Sequence, residues 1–137
     1  MRQFLLLIAF LFVGALAANA QLARKGTQQA FSTEGVNTVR FNIDPSQVEV
    51  RTTRGTRVLV EINIAINGTM PLLDYAIGTG RYNMTAITEG STLTISPNDR
   101  NQAIIIRGET IREELTYTIY MPEHLERNST VATSTVE

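Results

Sequence analysis

RVLVEINIAI, residues 57–66, decides the fold. Val58, Val60, Ile62, Ile64 and Ile66 fall on one face of an extended chain, and Glu61 and Asn63 fall on the other. Leu59 is the one large apolar residue out of step. Successive side chains of a strand point to opposite faces, so this period-two pattern specifies an antiparallel strand with one dry face and one wet face.

The same signature recurs on both sides of this stretch. Upstream, Val39, Phe41 and Ile43 alternate with Thr38, Arg40 and Asn42 until Asp44-Pro45-Ser46 breaks the run. Val48 and Val50 restart it, and the stretch Thr53 to Thr56, with Gly55 supplying conformational freedom, reads as a hairpin turn into residue 57. Downstream, Tyr82, Met84 and Ala86 alternate, then Leu93 and Ile95 up to the turn cluster Pro97-Asn98-Asp99. Ala103 to Arg107 is a compact apolar run suited to a strand covered on both faces. Leu115, Tyr117, Ile119 and Met121 alternate once more until Pro122. Pro71 to Ile77 has two readings, two helical turns closed by Gly78 or an apolar loop with a short helical turn, and we favour the loop. About seven short strands with frequent turn signals predict an all-β domain, either an antiparallel β-sandwich or the opening layers of a β-solenoid, with at most one short helical turn.

The first twenty residues carry a different message. Met1-Arg2-Gln3 is a short positive start, Phe4 to Leu16 is almost unbroken hydrocarbon, and Ala18-Asn19-Ala20 ends in small residues. This is the layout of a cleavable secretory signal, with a cut before Gln21. The expected organisation is a signal peptide at 1–20, a flexible polar lead-in at 21–35, a β domain at 36–126, and a terminal strand or frayed tail at 127–137. The expected address is the periplasm, cell surface or extracellular space, with no membrane span after cleavage.

Cleavage takes 20 of the 137 residues and leaves one ordinary domain. Arg2 leaves with the signal, so 11 basic residues face 13 acidic ones, a net charge of −2. That balance gives no general reason to bind nucleic acid. Cys 0 rules out disulfides, a thiolate metal site, a cysteine nucleophile and thiol lipidation.

Chemistry-bearing residues are sparse. His124 is the sole histidine and reads as a turn residue, because no nucleophile elbow accompanies it. Asn98, Asp99 and Asn101 offer hard oxygen donors, but their spacing fits a turn better than a calcium loop. Glu113 and Glu114, being adjacent, face opposite sides of a strand and do not form a carboxylate pair. Asn67, Asn83 and Asn128 each begin an Asn-X-Ser/Thr triplet, a glycan acceptor only in a eukaryotic secretory route. Neither cofactor nor metal site is expected. The charges that stand out are Arg51, Arg54 and Arg57. Bracketing the proposed hairpin turn, they would crowd three guanidinium groups at one end of the sheet, a possible anion-binding cluster partly neutralised by Glu49 and Glu61.

From Phe31 onward the order of these motifs resembles the adhesin-type domains of bacterial cell-surface proteins, among them those called head GIN domains. The resemblance rests on Thr38 to Ile43, Val48-Glu49-Val50-Arg51, residues 57–66, Leu93-Thr94-Ile95 and Leu115 to Pro122. Together with the lack of any nucleophile, metal or phosphate signature in the sequence, it implies a non-enzymatic exported domain with an adhesion, surface-binding or envelope-structural role, its partner not identified by the sequence, a cell-surface glycan or an envelope protein being the candidates. In that family further solenoid rungs follow the proline-ended strand, and only a short stretch follows Pro122 here. No site residue carries over, since the family has no residue-specific catalytic motif. Two other readings stand beside this one. The first is a carrier for a small apolar or lipid ligand, held between the apolar face of residues 58–66 and the segment Pro71 to Ile77. The second is a secreted enzyme or enzyme inhibitor.

Overall fold

A computed structural model describes residues 22–98 and 102–131 of the chain. The fold is all-β, and among the described residues two four-stranded sheets contribute inward side chains to one core, with one short α-helix. The first sheet has the order β1 (Ala23–Ser32), β4 (Arg57–Ile66), β9 (Glu113–Pro122), β3 (Val48–Thr53). The second has the order β10 (Thr130–Val131), β2 (Thr38–Phe41), β6 (Thr92–Pro97), β5 (Met84–Glu89). A two-stranded ribbon, β7 (Ile105–Ile106) with β8 (Glu109–Thr110), stands apart from both.

The alternation of β4 is realised in full: Val58, Val60, Ile62, Ile64 and Ile66 are all buried. Leu115, Tyr117, Ile119 and Met121 of β9 join them, as do Val39 and Phe41 of β2 and Leu93 and Ile95 of β6. No charged or polar residue is buried among the described residues. The core is therefore held by apolar burial and interdigitation.

Both sheets are mixed rather than purely antiparallel. β3 runs parallel to β9, and β2 runs parallel to both β6 and β10. The turn at 53–56 does not close a hairpin, because β9 lies between β3 and β4 and pairs with each. Residues 54–56 instead cross over the end of β9, where Pro122 pairs with Thr53. The physical reason lies in the strands themselves. β9 carries four buried apolar side chains and belongs in the middle. β3, with Glu49 and Arg51 exposed, suits an edge, where charge discourages unwanted pairing.

Residues 23–32, expected as part of a flexible lead-in, form the ten-residue strand β1, paired along its whole length with β4. Its inward positions are Ala23, Lys25, Thr27, Gln29 and Phe31, too polar to reveal a core-facing strand. Gln29 explains part of the ordering. Its Oε1 accepts from the Met84 backbone N–H at 2.6 Å and its Nε2 donates to the Met84 carbonyl at 3.3 Å. One side-chain amide thus ties edge strand β1 of the first sheet to edge strand β5 of the second. Gln29→Leu strands both Met84 backbone groups and should lower the unfolding free energy by about 1–3 kcal/mol in urea titration.

The segment after β4 adopts the helical reading. Helix α1 (Met70–Gly78) begins at Thr69, whose side chain accepts from the Leu72 backbone N–H, with Pro71 in the first turn. It buries Leu73 and Ala76 and is tethered to β1 by Lys25 and Asp74 at 2.7 Å. Ala103 to Arg107 is not a covered strand. Only Ile105 and Ile106 are extended, and both are exposed, because their sole neighbour is β8. The ribbon turns through Arg107 and Gly108, both at positive φ, as a two-residue hairpin requires. On the far side, Thr130–Val131 supplies the terminal strand β10 beside β2.

Candidate functional site

Strand register fixes what the wet face of the first sheet displays. Ala30, Leu59, Tyr120 and Arg51 form one row across β1, β4, β9 and β3. Neighbouring strands lie about 4.8 Å apart, so Arg51 stands roughly 10 Å from Leu59 with Tyr120 between them. Ala30, Leu59 and Tyr120 floor an open depression of about 410 Å³ walled by Thr53, Gly55, Thr56 and Arg57. The crossover that replaces the hairpin therefore builds this wall, and it sets Arg54 on the exposed rim.

Arg51 lies on β3, Arg54 on the crossover and Arg57 at the start of β4, and of the three only Arg57 lines the depression. Arg51 Nε donates to Glu49 Oε1 at 3.1 Å, and this contact raises the guanidinium pKa above its already high range, with Tyr120 contributing less. Arg54 and Arg57 have no acidic partner among the described residues. Glu61 sits one row away, level with Thr118 and Glu49 on the same face. The hollow thus has Arg57 in its wall, the compensated Arg51 in the same row as Tyr120, and a carboxylate row, Glu61 and Glu49, next to that row.

A second depression of about 500 Å³ opens at the other end of the same face, among Arg24, Gly26, Asn63, Ala65, Glu114 and Thr116. It exists because Gly26 and Ala65 leave the surface low. A Cβ at Gly26 would meet the Asn63 side-chain oxygen at 3.3 Å. The charged lining of the depression is Arg24, Glu114 and Lys25, the last of which is paired with Asp74.

The remaining candidates have structural employment. Glu113 receives Arg81 in a two-pronged ion pair, Nε to Oε1 at 2.7 Å and the second nitrogen to Oε2 at 3.2 Å. The Tyr82 hydroxyl donates to the same carboxylate at 3.2 Å, and Arg81 also reaches the Gln102 carbonyl at 2.9 Å. Glu114 points to the opposite face, as adjacency requires. Asn98 accepts from the Thr85 hydroxyl at 2.7 Å and donates to the Gly80 carbonyl at 3.1 Å, so its amide ties a turn. Asp99 and Asn101 lie outside the described residues. Asn67 accepts from the Arg112 backbone N–H through its side chain. His124 is exposed on a short 3₁₀ stretch after Pro122. Leu73 and Ala76 of α1 are buried in the same core as the β4 face, the two elements between which an apolar ligand was expected.

No family model, no curated protein and no solved structure matches this chain. No helix among the described residues is long and apolar enough to cross a membrane.

Proposed function

We propose that this is an exported, non-enzymatic binding domain that grips anionic groups of a cell-surface glycan at the Tyr120 depression. The observation that carries the reading is Arg57 in the wall of a shallow tyrosine-floored hollow, with Arg51 in the row of Tyr120 and Arg54 on the crossover that supplies Gly55 and Thr56 to the wall. Guanidinium forks match carboxylate and sulfate or phosphate oxygens in pairs. A tyrosine ring and the Leu59 side chain offer an apolar bed for the carbon face of a sugar. The signal-like first twenty residues support an extracytoplasmic address, and the resemblance of the order of sequence motifs to adhesin-type domains supports surface attachment.

The discriminating experiment compares binding of the protein to an immobilised uronic-acid polysaccharide and to its uncharged counterpart. Replacing Arg51, Arg54 and Arg57 together by serine should reduce binding to the charged polymer at least tenfold and leave the melting curve nearly unchanged, since all three side chains are exposed. The wild-type interaction should also weaken with added salt. Undiminished binding by the triple variant defeats the reading.

A further inference from the structure

Glu61 stands by itself near the middle of the face that carries the Tyr120 hollow. Gln28 of β1 and Thr118 of β9 flank it in its row, and Leu59 and Asn63 precede and follow it on the outward side of β4. None of these four is charged, and neither are the diagonal positions on β1 and β9. Glu61 forms no ion pair among the described residues, whereas Glu49 in the same row is taken by Arg51 at 3.1 Å. Its side chain is half-buried.

Such a carboxylate is at odds with a purely anionic ligand. A chain of acidic sugars gripped by Arg57 and lying over Leu59 runs on to Glu61 when it follows β4, and like charges then face each other. Half-burial weakens screening by salt, so the mismatch costs more there than on an open surface. A cationic group at that point turns the repulsion into attraction. Outward residues of one strand lie about 7 Å apart, which separates Arg57 from Glu61 by about 14 Å with Leu59 between them. The groups met along β4 are therefore a guanidinium, an apolar bed and a carboxylate. Arg51 and Glu49 repeat the same order of signs on β3, but they satisfy each other. The far end of the face is balanced too, with Arg24 and Glu114 on either side of Ala65.

We propose that the glycan taken by this face carries free amino groups alongside its acidic ones, an acidic group meeting Arg57 and an ammonium group a few sugar units further on meeting Glu61. The inference rests on glycan binding at the Tyr120 hollow and names the class of polymer that fits it, a zwitterionic polysaccharide rather than a uniform polyanion.

The probes are an alternating polymer of glucuronic acid and N-acetylglucosamine and the same polymer stripped of its acetyl groups. Both are immobilised in equal amounts and read at mildly acidic pH, where amines hold their protons and carboxylates stay ionised. The stripped polymer has less net negative charge, so arginines acting alone would favour the acetylated one. The expected result is the reverse, with the stripped polymer bound tighter by about fivefold or more. Glu61→Gln keeps the shape of the side chain and should erase that preference while leaving the melting curve nearly unchanged. Chemical re-acetylation of the stripped polymer should erase it as well. Binding to neither polymer overturns the inference together with the reading of the hollow. Binding to both without preference, a preference for the acetylated form, or a preference that survives Glu61→Gln or re-acetylation overturns the inference alone.

Discussion

Ile62→Ala is expected to lower the unfolding free energy by about 2–5 kcal/mol, while Asn63→Ala, one residue along, changes it by no more than about 0.5 kcal/mol. Ile62 sits at the middle of β4, between Thr27 of β1 and Tyr117 of β9, and is only 1% exposed. Truncation there removes three buried carbons and leaves a void in a core with no slack strand to collapse into it. Asn63 faces water on the other side of the sheet. Urea unfolding followed by far-ultraviolet circular dichroism reads both values. Equal costs at the two positions would mean that the strand does not divide a dry face from a wet one.

The second large effect concerns Glu113. Glu113→Gln keeps the shape but removes the charge that holds Arg81 and Tyr82, and should cost about 1.5–3 kcal/mol, the range for hydrogen bonds to charged groups. Combining it with Arg81→Leu should cost less than the two single changes added together, because the second change finds no pair left to break. The cluster also has a pH signature. Burial raises the Tyr82 pKa above its ordinary 10, and the neighbouring Glu113 carboxylate adds to the rise. The folded state therefore holds the phenol proton more tightly than the unfolded chain does. This stabilisation is fully present below pH 10 and is lost as pH climbs through the folded-state value. Tyr82→Phe should flatten the stability curve over that alkaline range, whereas an unaltered slope would show that Tyr82 is not the group responsible.

Strands β4, β9 and β2 were legible because their apolar residues fall on every second position, a property of the local chain. β1 was not, because Lys25, Thr27 and Gln29 occupy its inward face and are ordered by distant partners, Asp74 and the Met84 backbone. Local pattern also cannot show which strand lies beside which. Thr53 to Thr56 has the residues of a hairpin turn, yet the apolar side chains of β9 claim the central place. The same limit applies to Ala103 to Arg107, whose isoleucines look destined for a core and project from it instead. The arginine triplet was visible as charge. The hollow beside it was not, since Ala30 and Tyr120 reach it from strands 27 or more residues away from Arg57.

The crossover above Pro122 also dictates an order of assembly. As the polypeptide emerges from its N-terminus, β3 and β4 appear some fifty residues before the strand that must slot between them. Until residues 113–122 arrive, β4 can rest only on β1, and β3 has no neighbour in its sheet. Such long-separation pairing slows folding and leaves bare ladders waiting. A nascent or arrested chain ending short of residue 113 therefore offers two unfilled strand slots, the natural grip for a holding chaperone and the natural seam for clumping with its own kind.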